Sequence, residues 1–452
     1  HGKFRSLKWA VMVATLSVYY LLPWIRWPRG AGEPDQAVLV DFPGRRFYFF
    51  FIEIWPDELY YLTGLLILAA LALFLATSMF GRIWCGYACP QTVWTDLYIA
   101  VERLVEGDRN KRIKLSKAPW SVEKAGKKAL KHFLWIAIAA ATGGAWVFYF
   151  HDAPTILPQL FTGAAPGSAY LFIGLLTFTT YMLAGSMREQ VCTYMCPWPR
   201  IQAALTDAET LEVTYKYDRG EPRGPHKKGQ SWEGRGDCVD CNACVAACPM
   251  GIDIRDGAQL ECINCALCID ACDETMKKVG RPTGLIAYDT DRNISRRQAG
   301  QPPQIRLIRT RTILYAVLIA AVGAVMLLGL SFRSTLEVNV LRDRTPPFVR
   351  LSDGSIRNAY TVKIINKANA ARDFKITVDG PDGLVVSSVG EKAEDNSLTV
   401  TADGDGLRTV RIFVTVPPSA LMRASGELTI AVEDAAGGER VENRTAFMKD
   451  RT

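Results

Sequence analysis

The chain has 452 residues, 49% of them hydrophobic, and its 53 basic and 46 acidic side chains give a net charge of +7. This length allows two or three domains. The basic residues cluster beside long uncharged apolar stretches, where lipid headgroups and membrane topology account for them. The composition therefore argues against a nucleic-acid partner and for a membrane protein.

Five apolar stretches without Asp, Glu, Lys or Arg predict membrane-spanning helices, since a span needs about 20 such residues. They are Trp9–Ile25, Leu59–Phe80, Phe133–Phe150, Ser168–Met187 and Thr312–Leu330. The first has no small-residue cleavage site, so we expect it to stay in the membrane rather than be removed as a signal peptide. The aromatic segment Phe47–Ile54, with Trp55, is too short to span and is predicted to be an interfacial belt.

Lys and Arg are distributed unevenly between the predicted loops. They are dense from Arg103 to Lys131, after the second span, and absent from His151 to Gly167, after the third. Positive loops face the cytoplasm. We therefore expect the N-terminus and the cysteines on the cytoplasmic side of a bacterial inner membrane, and the C-terminal tail in the periplasm.

Eight of the 12 cysteines form two CxxCxxCxxxC runs between the fourth and fifth spans. The runs are Cys238, Cys241, Cys244 and Cys248, and then Cys262, Cys265, Cys268 and Cys272. This spacing is typical of bacterial ferredoxins with two [4Fe-4S] clusters, in which the fourth cysteine of each run binds the other cluster. We predict one cluster on Cys238, Cys241, Cys244 and Cys272, and the other on Cys262, Cys265, Cys268 and Cys248. Zinc ribbons pair two CxxC knuckles instead.

The same insert is rich in acidic residues, for which two interpretations stay open. The acids are a solvated face, or they form a docking face for a basic electron donor. The residues concerned are Asp237, Asp240, Asp253, Asp256, Glu261, Asp270, Asp273 and Glu274.

The other four cysteines form two CxxxCP pairs, Cys85 with Cys89 and Cys192 with Cys196, each just after an even-numbered span. On a helix, residues i and i+4 share one face. Two such faces at equal depth predict four thiolates in one place, a set of soft ligands that suits an iron–sulfur cluster, Cu(I) or Zn. Buried cysteines without a ligand remain the alternative.

A haem that crosses the membrane needs facing histidines at similar depth. Only His132 and His151 lie near the spans. They sit at opposite ends of one predicted helix, roughly 30 Å apart. We therefore predict no haem.

The tail after about Glu337 predicts an immunoglobulin-like sandwich, because short alternating runs are separated by turn residues. The predicted strands are Tyr360–Ile365, Phe374–Val378, Leu384–Val389, Ser397–Thr401, Thr409–Val416, Gly426–Val432 and Val441–Met448. The tail contains no Cys and no Trp, and we expect it to be an interaction module.

The predicted fold is an α-helical membrane protein of five spans, with an inserted two-cluster ferredoxin-like domain and a C-terminal all-β immunoglobulin-like sandwich. The membrane domain with both CxxxCP pairs covers 1–200, and the cytoplasmic ferredoxin-like domain with its linkers covers 201–305. The fifth span covers 306–333, and the periplasmic sandwich covers 334–452.

In its order of parts the sequence resembles the FixG/CcoG family, accessory proteins for assembly of cbb3-type cytochrome c oxidase. The segments that carry the resemblance are Gly44–Tyr48, Gly81–Trp94, Cys192–Arg200, the ferredoxin insert and Arg281–Ile286. The resemblance implies a cupric reductase that supplies Cu(I) to a copper-exporting ATPase and to oxidase assembly factors. It assigns Cys85, Cys89, Cys192 and Cys196 to copper or to a third redox centre.

Two other functions stay open. The CxxxCP repeat and ferredoxin insert also resemble NapH-type quinol-oxidising electron-transfer subunits, although those lack the fifth span and the sandwich. The second alternative is an assembly scaffold in which the clusters are purely structural. No GxGxxG or flavin motif is present, so we expect a separate cytoplasmic electron donor.

Overall fold

The computed structural model describes residues 2–29, 33–226, 229–368, 370–390, 393–394, 396–421 and 426–449. The chain divides into two compact units, His1–Pro28 with Glu33–Met326, and Arg29–Gly32 with Leu327–Thr452. All 12 cysteines lie in the first unit and all are free of disulfides.

Five helices are long and apolar enough to cross a membrane, which confirms the five predicted spans. We number them span 1 to span 5: Lys3–Trp24, Tyr60–Phe80, Val122–Val147, Gly167–Met187 and Thr310–Ser331. Span 3 begins eleven residues before its predicted start, because Ser121 caps it by accepting the backbone N–H of Lys124 at 3.2 Å. Span 4 changes from α-helix to π-helix at Tyr181.

Shorter helices connect the spans and build the insert. In chain order they are α1 (Ile83–Tyr87), α2 (Pro90–Glu106), α3 (Arg109–Lys117), α4 (Ala153–Thr162), α5 (Trp198–Leu205), α6 (Tyr217–Gly220), α7 (Ala243–Ala247), α8 (Leu267–Lys278), α9 (Asp291–Gln298) and α10 (Pro418–Leu421). A π-helical turn covers Val191–Met195, and 3-10 turns cover Pro56–Glu58 and Ile254–Asp256.

Helix α2 is held against spans 1 and 3 by buried charges. Lys8 of span 1 pairs with Asp96 at 2.8 Å. Lys131 of span 3 pairs with Glu102 at 3.5 Å and with Glu106 at 3.1 Å. Removing one partner of a buried pair is strongly destabilising, so these contacts fix the helix that begins directly after Cys89.

A small antiparallel sheet follows span 1, with strands β1 (Val38–Asp41), β2 (Arg46–Phe49) and β3 (Ile52–Ile54). The prediction of an aromatic belt missed this sheet, since the turn between β2 and β3 needs Phe50 at φ +54° and nothing in the aromatic run signals it. The sheet is attached to the end of span 3, where the N–H of Val40 donates to the carbonyl of Tyr149 at 2.8 Å.

The ferredoxin-like insert contains one two-stranded sheet, and the second unit contains two five-stranded ones. The insert pairs β4 (Glu212–Tyr215) with β5 (Ile286–Asp289). The strands of the second unit are β6 (Leu336–Arg342), β7 (Val349–Arg350), β8 (Ile356–Asn366), β9 (Arg372–Asp379), β10 (Val385–Ser388), β11 (Ala393–Glu394), β12 (Ser397–Ala402), β13 (Gly406–Val416), β14 (Glu427–Asp434) and β15 (Arg440–Ala446). One sheet has the order β10-β13-β8-β6, with β7 on β8, and the other has the order β11-β12-β9-β14-β15.

The core of the second unit follows the alternation that predicted it. In β8 every second residue is buried, including Tyr360, Val362 and Ile364 at 0% exposure. The Tyr360 hydroxyl donates to the carbonyl of Ala446 at 2.9 Å, which satisfies its polar atom. The predicted immunoglobulin-like sandwich is therefore confirmed, and the described residues add β6 and the two-residue strands β7 and β11 to the seven strands that the sequence predicted.

Replacing Ile376 with Ala should destabilise the sandwich by about 2–5 kcal/mol, because Ile376 is fully buried in β9 and its loss leaves a cavity. Hydrogen–deuterium exchange of the full-length protein should show faster exchange of the β9 and β14 amides. The matched control is Val385→Ala, since Val385 is 59% exposed and its substitution should change little. Equal protection in both variants would contradict the assigned core.

Candidate iron–sulfur and thiol site

Two cavities in the insert are each lined by four of the cysteines predicted to share a cluster. The first is lined by Cys238, Cys241, Cys244 and Cys272. The second is lined by Cys248, Cys262, Cys265 and Cys268, and also by Cys244. Its remaining walls are aliphatic or methionine side chains, so water has few partners there.

The crossover of the fourth cysteines follows from the local structure. Cys248 is the extended residue that ends helix α7, and Cys272 lies within helix α8. The two short helices pack against each other. Each therefore delivers its last cysteine to the cavity of the other run.

The backbone of both cysteine loops has the same unusual conformation. Asp240 and Asn242 flank Cys241 with φ of +54° and +57°, and Asn264 and Ala266 flank the corresponding cysteine with φ of +52° and +58°. Left-handed residues within such a loop turn successive N–H groups toward one concavity, which binds anionic groups such as iron–sulfur clusters. Both cavities thus fit a [4Fe-4S] cluster in ligand set, lining and backbone.

Burial shifts the acid–base behaviour of these thiols. It raises the pKa of Cys262 and of Cys272 to about 12 in each case. Buried thiols without metal are therefore protonated at neutral pH, and binding of iron must displace their protons.

Most acidic residues of the insert have partners within the protein. They are Asp237 with Arg219 and Arg281, Asp240 and Asp253 with Arg255, Asp256 with Arg223, Asp273 with the N–H of Gly284, and Glu274 with Lys278. Arg255 is only 6% exposed in its side chain and joins the first cysteine loop to the segment between the two runs. Most of the acidic residues therefore have partners within the protein. The docking face stays a prediction, since the side chains of Asp256 and Glu274 are 63% and 65% exposed.

The insert is attached to the ends of two spans. The carboxylate of Asp270 accepts the backbone N–H of Arg5 at 2.8 Å and of Phe4 at 3.3 Å in the first turn of span 1. The side-chain amide of Asn264 donates to the carbonyl of Phe80, the last residue of span 2, at 3.5 Å. The insert, the start of span 1 and the end of span 2 therefore lie at one end of the helical bundle.

The CxxxCP pairs do not have the predicted geometry. Cys85 lies in helix α1, but Cys89 is extended, with ψ 130°, at the start of α2. Cys192 lies in the π-helical turn, and Cys196 is extended, with ψ 122°, just after it. The prediction that each pair shares one helix face was wrong, because the helix ends before the second cysteine, which precedes a proline and is therefore driven out of the α conformation.

The four thiols nevertheless lie in one neighbourhood, since Cys89, Cys192 and Cys196 act electrostatically on Cys85, and Cys89 and Cys196 act on Cys192. Among the described residues, no three of these sulfur atoms lie within 4.8 Å of one another. Burial, followed by these neighbours, raises the pKa of Cys85 to about 12 and that of Cys192 to about 11. We call this group the four-thiol cluster.

The four-thiol cluster is buried on one side and open on the other. Cys85 is 9% exposed and lies 3.1 Å from the side-chain oxygen of Gln202, which is fully buried. Cys196 is exposed, and Tyr194 and Met195 before it are 83% and 56% exposed. A metal ion can therefore reach the cluster from the side of Cys196.

The loop of the second cavity packs directly on the first CxxxCP segment. Cys85, Ile263, Cys265 and Leu267 form one buried apolar group. The Tyr87 hydroxyl donates to the carbonyl of Cys265 at 3.2 Å, and a Cβ on Gly86 would lie 2.5 Å from the carbonyl oxygen of Ile263. Only glycine allows this approach of α1 to the loop.

Arg82 ties three segments together at the same place. Its side chain donates to the carbonyls of Leu260 and, at 3.4 Å, Cys262, and to that of Pro199 at 3.0 Å. We call residues 82–87 with residues 260–265 the junction. Sequence reasoning gave no role to Arg82, Gly86 or Tyr87, because a glycine between two cysteines does not reveal which backbone it touches.

Comparison with known families agrees with this architecture. A family model described as "4Fe-4S dicluster domain" matches residues 187–291, and one described as "4Fe-4S binding domain" matches residues 62–112. A third, "IG-like fold at C-terminal of FixG, putative oxidoreductase", matches residues 326–450. With the five apolar helices, these domains define a membrane-bound iron–sulfur electron-transfer protein.

Two curated relatives cover nearly the whole chain. "Nitrogen fixation protein FixG" of Rhizobium meliloti (strain 1021) is 50% identical over 97% of this chain and 89% of its own length. "Protein RdxB" of Cereibacter sphaeroides is 52% identical over 99% of this chain and 94% of its own. The chain belongs to the FixG family. Among solved structures, a FixG-related protein from Vibrio parahaemolyticus matches 26% of this chain and 99% of its own, at 20% identity and a TM-score of 0.22.

Replacing Asp270 with Ala should loosen the attachment of the insert to span 1, because two backbone N–H groups lose their acceptor. Loss of a comparable capping interaction costs about 0.5–2 kcal/mol, so the amides of Phe4 and Arg5 should exchange roughly 2–30 times faster. Exchange mass spectrometry of the N-terminal peptide measures this. Asp256→Ala is the control, since Asp256 is 63% exposed in its side chain. Unchanged exchange at Phe4 and Arg5 would show that Asp270 does not hold span 1.

Proposed function

We propose that this chain is a cupric reductase of the inner membrane, which passes electrons from two [4Fe-4S] clusters to Cu(II) at the four-thiol cluster. The observation that carries the proposal is the contact between the second cysteine loop and the helix of Cys85. A low-potential cluster and a copper site that packs against it are sufficient for one-electron reduction of Cu(II).

The proposed ligands of the clusters are the cysteines of the two cavities. Cys238, Cys241, Cys244 and Cys272 hold cluster one, and Cys262, Cys265, Cys268 and Cys248 hold cluster two. When bound, the clusters supply one-electron redox chemistry at low potential. The chain supplies the thiolates, the concave backbone of the loops and the apolar walls that keep water away.

Copper is proposed for the four-thiol cluster because of its ligands. Soft thiolates select Cu(I) over harder divalent ions, so reduction and retention of copper favour each other there. The exposed side at Cys196 gives the ion a path in and out. Cys85, Cys89, Cys192 and Cys196 are the proposed catalytic residues, and a third redox centre at the same thiols is the alternative.

Topology and partners follow from the same proposal. The charge asymmetry between the loop rich in Lys and Arg and the loop from His151 to Gly167 supports a cytoplasmic position of the clusters. With five spans, the proposed position of the sandwich is the periplasm. A separate cytoplasmic protein supplies electrons, and a copper-exporting ATPase and oxidase assembly factors receive Cu(I).

Iron counting tests the crossed ligand sets. Cys248→Ser combined with Cys265→Ser removes two ligands of one cluster, so the double variant should keep about four irons per chain. Cys248→Ser combined with Cys241→Ser should lose both clusters. If the first pair loses all iron and the second keeps half, each run binds its own cluster and the crossed assignment is wrong. Chemical iron and sulfide analysis of anaerobically purified protein gives the result.

Replacing Cys85, Cys89, Cys192 and Cys196 together with Ser should abolish oxidation of the reduced clusters by Cu(II), because the copper ligands are gone. Iron content should be unchanged, and ferricyanide, which needs no thiol site, should still oxidise the clusters. Anaerobic stopped-flow absorbance with a Cu(I) chelator follows both reactions. Wild-type rates with Cu(II) would refute the copper assignment. Reduction of the clusters by a quinol analogue would instead support the quinol-oxidising alternative.

A further inference from the structure

We propose that the junction is the electron-transfer contact between cluster two and the four-thiol cluster, with Gly86 setting its distance and Arg82 supplying its positive charge. This inference rests on the proposed function and adds a route and two positioning residues to it. Neither residue touches copper or iron in the proposal, and both act on the geometry and charge between them.

The first observation is steric. A Cβ at position 86 would lie 2.5 Å from the carbonyl oxygen of Ile263 and 3.1 Å from the Cα of Cys265. Both contacts are to backbone, which cannot swing away as a side chain can. Any residue larger than glycine must therefore push α1, with Cys85, away from the loop that carries Cys262 and Cys265. Electron tunnelling falls steeply with distance, so this displacement weakens transfer.

The second observation is a buried cation. Arg82 is 6% exposed. All its hydrogen bonds that the structure describes go to backbone carbonyl oxygens, and it makes no ion pair within 4 Å among the described residues. The carboxylate of Glu212, which lines the same cavity, acts on it from a longer distance. A buried charge normally has a counter-ion, because desolvation without one is costly. Iron–sulfur clusters with four thiolates are anionic, and the carbonyl of Cys262, a proposed ligand, is among the acceptors of Arg82.

Arg82 lies between the second cysteine loop and the CxxxCP segments. Its guanidinium reaches the second cysteine loop through Leu260 and Cys262, and Arg82 comes three residues before Cys85 in the chain. The bond to Pro199 adds the segment that follows Cys196. Arg82 is therefore placed to stabilise added negative charge at cluster two and to hold both CxxxCP segments against the loop.

The transfer balances as a one-electron step. One electron leaves the reduced cluster two, which is oxidised by one electron, and one Cu(II) at the four-thiol cluster becomes Cu(I). No proton or bond needs to move. The electron is replaced through cluster one by a low-potential one-electron donor, and the exposed cysteine Cys241 lies on that side.

The test compares Gly86→Ala, Arg82→Gln and Arg82→Lys with two matched controls. Gly144→Ala adds a Cβ where nothing lies within 4 Å. Arg292→Gln removes an arginine that is 54% exposed in its side chain. All are made in the full-length protein, and iron content and oxidation by ferricyanide are measured first, so that loss of clusters is seen directly.

Two readouts follow. Arg82→Gln should lower the equilibrium constant for reduction of cluster two roughly tenfold, because one unit charge is removed from a buried site, and Arg82→Lys should restore part of it. Redox titration followed by EPR measures this without any copper. Gly86→Ala should slow oxidation of the clusters by Cu(II) by about 10–100-fold, as a misplacement on the order of 1 Å does, while the controls stay at the wild-type rate.

The outcomes separate the junction from the proposed function. If the variant with four serines still reacts with Cu(II) at the wild-type rate, the copper site is wrong, whatever the junction does. If that variant is inactive while Gly86→Ala and Arg82→Gln keep wild-type rates and potential, the junction is wrong. Should Gly86→Ala lose iron, the Arg82 series decides, because an unchanged potential in Arg82→Gln overturns the inference by itself.

Discussion

The contact of Gly86 with the backbone of Ile263 is the constraint on which the arrangement of this chain depends. It holds the helix of Cys85 against the loop of the second cavity, at a distance that no other residue permits. The bonds from Asp270 to span 1 and from Asn264 to span 2 hold the same insert at two further points. Attachments to the start of span 1, to the end of span 2 and to the helix that follows span 2 leave the insert little freedom to swing. Its redox centres therefore stay at the end of the helical bundle rather than moving as a tethered ferredoxin would.

Buried charged side chains of the first unit have two kinds of partner, which are oppositely charged side chains or backbone carbonyl oxygens. Around α2 the charge is neutralised by pairing, as in Lys131 with Glu102 and Glu106. Such pairs hold helices in register but leave no net charge for an anionic group. At the junction Arg82 is instead surrounded by carbonyl oxygens. A cation that makes no ion pair within the described residues, and on which Glu212 acts only from a longer distance, suits neighbouring sites whose own charge is negative. This links the electrostatics of the fold to the metal chemistry proposed for it.

The sequence predicted what depends on period and spacing, and missed what depends on contact between distant segments. Long apolar stretches without charged residues predicted the five spans, and alternation of apolar and polar residues predicted the strands of the sandwich. Both patterns can be read from neighbouring residues. Cysteine spacing predicted two quartets, and the cavities contain these quartets. The CxxxCP pairs were expected on helix faces, yet the proline after Cys89 ends the helix there. Arg82, Gly86 and Asp270 contact residues more than a hundred positions away, and no local pattern reveals such partners.

The cysteines of the two cavities and of the four-thiol cluster differ in their exposure to solvent. In the first cavity Cys241 is exposed, so a donor protein can approach there. In the second, Cys265 is 7% exposed and packs on Cys85 at 9%, which excludes water and soluble oxidants from the contact between the proposed centres. Exposure returns at Cys196, on the far side of the four thiols. In the proposed scheme electrons enter at Cys241 and copper at Cys196, and the buried contact of Cys265 with Cys85 connects the two proposed centres. Burial of that contact favours reduction of bound copper over loss of electrons to solvent.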